Sequence, residues 1–235
     1  MTKTVSLREA WSGEANCLHC ALRTSVLFSG LQEADFEHIH EPIDQFALKP
    51  GAPLYLAGDT GEYLFTVRTG MLKLVQYLPD GSQRIVRIVR STDVLGLESL
   101  LDDRYQHDAV ALHATEVCRF PARLVRELGR VNPALHHELM ARWQRALTEA
   151  DAWLTELSTG SARQRVARLL LRLVRDRETS ECPLFSREDM GAMLGVTTET
   201  ASRTIAEFKR QSLLVETTPN LFLLDIPNLR RLAED

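Results

Sequence analysis

The sequence predicts an α+β protein with a β-rich N-terminal part, one long central helix, and a C-terminal helix-turn-helix followed by a hairpin. Three observations carry that reading. From residue 47, short β-branched and aromatic runs alternate with turn signals at KPGA, AGDTGE, RTG, PDGSQ and STD, the texture of an all-β barrel or roll. Residues 133–158 hold the longest helical periodicity in the chain. Residues 186–208 read as helix, glycine turn, helix.

The bulk composition agrees with a folded, soluble chain. At 235 residues there is enough sequence for one large domain or two modest ones, and 44% apolar with 26% charged residues is ordinary for a globular protein. No apolar run approaches the roughly 18–20 residues needed to cross a bilayer. The start MTKTVSLREAWSGEANC lacks the basic, apolar and small-residue regions of a signal peptide. The expectation is a cytoplasmic protein without a membrane partner. Neither a nucleophile–base pattern nor a phosphate-binding glycine loop is found, so the chain does not read as an enzyme.

The elements follow in order. Residues 1–26 form an N-terminal arm bearing two cysteines, and residues 1–16 show no ordered pattern. Residues 27–130 form the β-rich domain. It opens with one or two short helices over 27–46, with Leu27, Leu31, Phe36, Ile39 and Ile43 at mostly helical spacing. Within it, Leu72, Leu74 and Gln76 alternate with Lys73, Val75 and Tyr77, and Asp80-Gly81 marks a hairpin. HDAVALHATEVCRFPARLVREL reads as two strands running into a helix.

Residues 131–160 form the long helix, with Asn132 as N-cap and Pro133 in the first turn. Leu139, Trp143, Ala146, Ala150, Trp153 and Leu157 recur at spacings of 4, 3, 4, 3 and 4, a heptad seam. Met140, Leu147 and Leu154 make a second apolar line beside it. An ordinary core helix with a wide apolar face is the plain alternative. Two lines, one against the chain's own β-domain and one against a partner helix, suggest a homodimer.

After the break STGSARQ, residues 161–235 form the last domain. Val166, Leu169, Leu170 and Leu173 face inward from its first helix. Ser186 caps the next helix, Glu188 and Asp189 sit at its positive end, and Gly195 ends it. Thr197 then caps the helix that follows. Ala192, Leu194, Val196, Ala201, Ile205 and Phe208 pack inward, leaving Glu199, Ser202, Arg203 and Glu207 outward. Arg203 can donate two parallel hydrogen bonds to guanine O6 and N7, and Glu199 can accept from a cytosine amino group. Ser202 reaches a base edge or phosphate, and Thr197 and Thr198 lie at the entry of the same helix. LLVETTPNLFLL supplies a hairpin wing. The segment therefore reads as an element that enters double-stranded DNA. Residues 161–235 carry 12 Lys and Arg against 11 Asp and Glu, and residues 1–160 carry 16 against 21. Binding must rest on placed arginines, since there is no polybasic arm.

The cysteines number four. Cys17 and Cys20 form a C-x2-C pair, whose spacing suits one metal or one redox event. Cys118 ends an apolar strand, where a thiol also packs as a small hydrophobe. Cys182 precedes Pro183 in a loop and has no assigned role. His136 and His137 read as solvated, and His38 with His40 do not make a metal pair.

With these residues in view the chain, over roughly residues 17–230, resembles the CRP/FNR family of bacterial transcription regulators. The resemblance is strongest in LGVTTETASRTIAEFKRQSLL, which is similar to the recognition helix of the FNR branch. It implies a cyclic-nucleotide-binding-like jelly roll, a dimerisation helix and a winged helix-turn-helix. It also implies base contacts from Glu199, Ser202 and Arg203 on a TTGAT-like inverted repeat. Contact with RNA polymerase through the loop Tyr77–Arg84 and the surface near Arg104 follows from the same likeness. A cyclic-nucleotide-binding adaptor that does not bind DNA would not keep ETASR intact.

The family's two sensor types leave different marks. The cyclic-nucleotide branch uses a Gly-Glu turn and an Arg-Ser pair. In GLESLLDDRYQHDAVAL, Glu98 remains, displaced by one, while His107-Asp108 stands in place of Arg-Ser. An aspartate there repels phosphate, so cyclic AMP is not the expected effector. The FNR branch holds an oxygen-sensitive [4Fe-4S] cluster on four cysteines, and the resemblance places Cys17, Cys20 and Cys118 among the ligands. The remaining ligand position falls on Val26, which cannot bind iron. His19, Glu14, Asp35, His38 or a small molecule could complete such a site. A dithiol–disulfide switch, zinc, haem with nitric oxide, or another small effector are the rival sensors.

Overall fold

The structure is a computed structural model of the chain, and it describes residues 11–14, 27, 43–174 and 180–234. The chain divides into two compact units, residues 1–76 with 87–148 and residues 77–86 with 149–235. No helix among the described residues is long and apolar enough to cross a membrane.

The first unit is built on two antiparallel sheets. One has the order β1-β2-β9-β4-β7, from Trp11–Glu14, Asp44–Leu48, Thr115–Pro121, Tyr63–Thr69 and Val94–Leu95. The other has the order β3-β8-β5-β6, from Pro53–Tyr55, Asp108–Ala111, Met71–Tyr77 and Gln83–Arg90. The β-roll expected from the turn spacing is present, with two differences at its start. Trp11–Glu14, within the arm that showed no pattern, is a strand paired with β2. Residues 44–46, expected to end a helix, belong to β2; residues 28–42 lie outside the described residues.

Register in the first sheet is fixed by side chains as well as by the backbone ladder. Asp44 lies opposite Arg119, and the two form an ion pair. The Arg119 guanidinium also lies over the Phe46 ring at 4.8 Å and the Tyr63 ring at 4.3 Å, joining β2, β9 and β4. In β5 both faces are used: Met71, Leu72, Leu74 and Val75 are all buried, so the simple alternation of the sequence gives way in a strand covered on two sides. Asp80-Gly81 turns the β5–β6 hairpin, with Gly81 at φ +81 and Asp80 Oδ1 accepting the Ser82 N–H at 2.9 Å.

Helix α1 (Ala122–Val131) follows β9 directly, and α2 (Pro133–Ala152) follows α1. Asn132 caps α2 as expected, its side chain accepting the Leu135 N–H at 3.0 Å. The helix continues as a π-helical turn over Trp153–Leu157. Leu135 and Leu139 are buried in one apolar cluster with Leu124, Val125, Leu128, Phe120, Leu64 and Leu27. Met140, Trp143, Leu147 and Leu154 are exposed, and Ala150 lies on the same line. The expected seam does not keep one environment: Leu139 and Leu157 at its ends are buried within the protomer, Ala146 and Trp153 are half-buried, and Trp143 and Ala150 are exposed.

In the second unit, α3 (Ala162–Leu173) begins in a capping box. Ser161 accepts the Gln164 N–H, and the Gln164 side chain accepts the Ser161 N–H at 2.7 Å. Val166, Leu169, Leu170 and Leu173 are buried as expected. A small sheet of order β10-β12-β11 combines Glu181–Pro183, Leu221–Leu224 and Leu214–Thr218. The expected hairpin wing is β11–β12, and β10 is an addition. Cys182, read as a loop residue, is fully buried in β10 because that strand closes the edge of the wing sheet. Helix α6 (Ile226–Glu234) packs on α3, where Arg168 donates to the Ala233 carbonyl at 2.9 Å.

Candidate nucleic-acid interface

Two helices and one turn set this site. Helix α4 (Arg187–Leu194) starts at Ser186, whose hydroxyl accepts the Asp189 N–H at 3.0 Å. It ends at Gly195 in the left-handed region, φ +64, where a Cβ is strained. Helix α5 (Thr198–Arg210) starts at Thr197, whose hydroxyl accepts the Thr200 N–H at 3.1 Å. Gly191 matters equally, and the sequence reading passed over it. A Cβ on Gly191 would lie 2.7 Å from the Val196 carbonyl oxygen, so the turn closes on α4 only because no side chain intervenes. A glycine inside a helix costs about 1 kcal/mol relative to alanine. That penalty, in a helix of eight residues, was the signal available.

Packing then decides which face of α5 remains outside. Ala201, Thr204, Ile205 and Phe208 are buried, and the Thr204 hydroxyl donates to the Thr200 carbonyl at 2.9 Å. Thr198, Glu199, Ser202, Arg203, Ala206 and Arg210 are exposed. Glu199, Ser202 and Arg203 have no side-chain hydrogen bond or ion pair among the described residues, so their donors and acceptors are available to a ligand. Thr197 is exposed, but its hydroxyl is used as the cap. Glu207, expected to face outward with them, is half-buried and pairs with Arg163 of α3 at 3.2 Å.

The wing is held against α5 by Lys209. Its ammonium pairs with Glu216 at 2.7 Å and sits 4.7 Å from the centroid of the Phe222 ring. The wing tip Thr217–Asn220 is exposed, with Asn220 turning it at φ +64. The arrangement presents one helix face with a guanidinium, a carboxylate and a hydroxyl, flanked by a hairpin tip. That is the equipment for reading base edges in a major groove while the wing tracks the backbone.

Of the sensor candidates, one cysteine lies among the described residues. Cys118 lies in β9 at 7% exposure, within the apolar cluster that also holds Leu27 and Ile43. Cys17 and Cys20 lie outside the described residues, as do His38 and His40. Among the described residues no three His, Cys, Asp or Glu side chains converge as a metal site. Leu27 is the residue after Val26, so the chain just beyond the expected cysteine segment does reach the Cys118 cluster. His136 and His137 are both exposed, as expected.

The pair His107-Asp108, which the resemblance sets against Arg-Ser, lies close to a group of aromatic rings. The rings of Tyr55 and Tyr105 stack at 3.9 Å between centroids, with Phe65 at 5.7 Å from Tyr55. The Tyr105 hydroxyl donates to the Tyr63 carbonyl at 2.7 Å, and burial raises its pKa to about 12. Asp108 Oδ1 accepts the Ala57 N–H at 2.7 Å, so one of the two residues that the resemblance sets against the Arg-Ser pair is a carboxylate. These residues do not fit a cyclic nucleotide.

Comparison with known proteins brings the two units under one description. A family model described as a cyclic nucleotide-binding domain matches residues 45–132, and one described as a Crp-like helix-turn-helix domain matches residues 164–232. The chain is 30% identical over 226 residues to the nitrogen fixation regulation protein FixK of Bradyrhizobium diazoefficiens, covering 92% of this chain and 93% of the relative. It is 28% identical over 240 residues to the transcriptional activator protein FnrA of Stutzerimonas stutzeri, covering 99% and 98%. Among solved structures, FixK2 from Bradyrhizobium japonicum superposes with a TM-score of 0.73 at 26% identity, covering 81% of this chain and 96% of that one.

Proposed function

The chain belongs to the CRP/FNR family of DNA-binding transcription regulators, and on that premise we propose that it acts as a homodimer on a TTGAT-like inverted repeat under an oxygen or redox signal. The observation that carries the DNA assignment is the exposed trio Glu199, Ser202 and Arg203 on α5. In a dimer two such helices enter successive major grooves about 34 Å apart. Thr198 adds a hydroxyl at the positive end of α5, suited to a phosphate.

The dimer seam we assign to Met140, Trp143, Leu147, Ala150 and Leu154, which are exposed on one line of the long helix. Of the residues first expected there, Trp143 and Ala150 stay in the seam and Ala146 and Trp153 flank it, half-buried. Leu139 and Leu157 serve the protomer core.

For the signal, Cys17, Cys20 and Cys118 are the thiols that would hold an iron–sulfur cluster, which when bound supplies oxygen-labile chemistry. Support comes from the C-x2-C spacing, from Leu27 joining the Cys118 cluster, and from the names of relatives such as the electron transport regulator A of Shewanella oneidensis and the fumarate and nitrate reduction regulatory protein of Vibrio cholerae. A thiol–disulfide switch on Cys17 and Cys20 is the second reading, favoured by the burial of Cys118 in an apolar cluster. RNA polymerase is the further partner, through Tyr77–Arg84 and the surface near Arg104.

The experiment is anaerobic purification of the full chain, with an absorption spectrum and assays for iron, sulfide, zinc and haem. Titration of a TTGAT inverted repeat before and after air then reads the output. Iron and sulfide in equal amounts with oxygen-sensitive binding are expected. A metal-free protein that responds to thiol oxidants replaces the cluster with the dithiol switch, and a protein indifferent to air overturns the redox reading.

A further inference from the structure

In the first unit, the 3-10 turn Leu97–Leu100, α1 and the first turns of α2 enclose a groove of 640 Å³. Neither the DNA-reading face nor Cys118 lines it. Its floor is apolar: Leu100, Val125 and Leu139 belong to or pack on the core cluster. Gly129 deepens it, since a Cβ there would meet Leu139 at 3.4 Å. Leu101 stands at its edge, 85% exposed, an apolar side chain left in water unless something covers it.

The rim is cationic. Arg126 and Arg130 are four residues apart on α1, so they project from the same face, and like charges at that spacing oppose each other. His136 adds a third basic group from α2. All three are exposed, and none makes a side-chain hydrogen bond or ion pair with a described residue. An apolar floor under two unpaired guanidinium groups is complementary to one kind of molecule. Its body must be apolar to cover Leu101, and its head must be an anion that two arginine forks can share. The volume falls in the range of roughly 300–1,000 Å³ usual for small-molecule sites.

We propose that this groove is a binding site for a small amphipathic carboxylate, an apolar chain or ring carrying one carboxylate. The site is independent of the redox reading, because it uses none of the cysteines. It bridges α1 and α2, so an occupant holds together the two helices that carry the protomer side of the long-helix seam.

Decanoate below its micellar range is the probe, with decanol and acetate as controls, titrated calorimetrically into the full-length protein. Saturable binding of one decanoate per protomer is expected, with decanol and acetate each at least tenfold weaker. The double variant Arg126→Glu, Arg130→Glu should weaken decanoate at least tenfold, and Leu101→Asp should do the same from the apolar side. Both change exposed side chains, and unchanged circular dichroism with unchanged binding to the TTGAT repeat would show the fold and the DNA site intact. Absence of saturable binding to the unaltered protein, equal affinity for decanol, or undiminished affinity in the arginine variant would each overturn the proposal.

Discussion

The guanidinium of Arg142 donates a hydrogen bond to the main-chain carbonyl oxygen of Thr92. Arg142 is 7% exposed on α2 and also reaches Glu138 Oε1 at 2.5 Å, while Thr92 holds φ +76 in the turn between β6 and β7. A buried cation is thus satisfied by a carboxylate on its own helix and by a turn of the sheet. Arg142→Gln removes the donor to the Thr92 carbonyl, while Glu138 keeps Arg145 at 3.1 Å, and it should destabilise the first unit by about 1–3 kcal/mol in urea titration. Thr92→Gly keeps the carbonyl and relieves a β-branched residue of positive φ, so it should be neutral or stabilising. Equal losses in the two variants would show that the turn, rather than the hydrogen bond, carries the effect.

Arg203→Ala should weaken binding to the TTGAT repeat by about 1–3 kcal/mol per half-site, counted twice in a dimer. Glu199→Ala should relax preference at one base pair and leave non-specific affinity intact or raised. Gel-shift titrations at one fixed salt concentration check both. Unchanged affinity for Arg203→Ala removes α5 from the recognition role.

Leu147→Glu and Trp143→Glu should give folded monomers, because a carboxylate on an apolar seam carries a desolvation penalty of several kcal/mol. Leu139→Ala should instead cost about 2–5 kcal/mol of protomer stability and leave self-association in place. Sedimentation beside thermal unfolding separates the outcomes. A monomeric Leu139→Ala that kept its stability would return the seam to Leu139.

Cys118→Ser should abolish both the anaerobic chromophore and the oxygen dependence of DNA binding. Cys182→Ser should change neither, yet lower stability by about 1–3 kcal/mol, because its side chain is fully buried in the wing sheet. Full oxygen response in Cys118→Ser, with loss only in Cys17 and Cys20 variants, selects the dithiol switch.

Burial pushes the pKa of His107 below its ordinary value, Arg87 reinforcing and Glu98 and Asp108 opposing. The unfolded chain therefore takes up a proton near pH 6.5 that folded His107 refuses. Stability should fall as pH drops below about 6.5 toward the lower, folded pKa. His107→Gln should lose less between pH 7.5 and 5.5 in matched urea titrations; an identical loss removes His107 from the acid response.

What the sequence made legible was local chemistry. Asn132, Ser186, Gly195 and Thr197 were readable as caps because each satisfies backbone groups only a few residues away. What it hid depended on distant partners. β2 needs β9, some 70 residues on, and without it Asp44–Leu48 passes for the end of a helix. Glu207 looks outward until Arg163 is placed beside it. On the long helix the two apolar lines sit one residue apart, and periodicity does not say which one the protomer buries. Glu199, Ser202 and Arg203, the residues proposed to read DNA, kept their outward placement for the opposite reason: none has a side-chain partner among the described residues that could reassign it.

The two glycines of the turn have a consequence for how such a regulator diverges. Gly191 and Gly195 fix the path between α4 and α5 by the atoms they lack, while the side chains of Glu199, Ser202 and Arg203 are exposed and make no hydrogen bond or ion pair with any described residue. Target choice and foldedness are therefore governed by separate positions. On the proposed reading, a lineage can exchange those three side chains, and with them its regulon, without passing through unfolded ancestors, whereas a side chain at either glycine strains the turn.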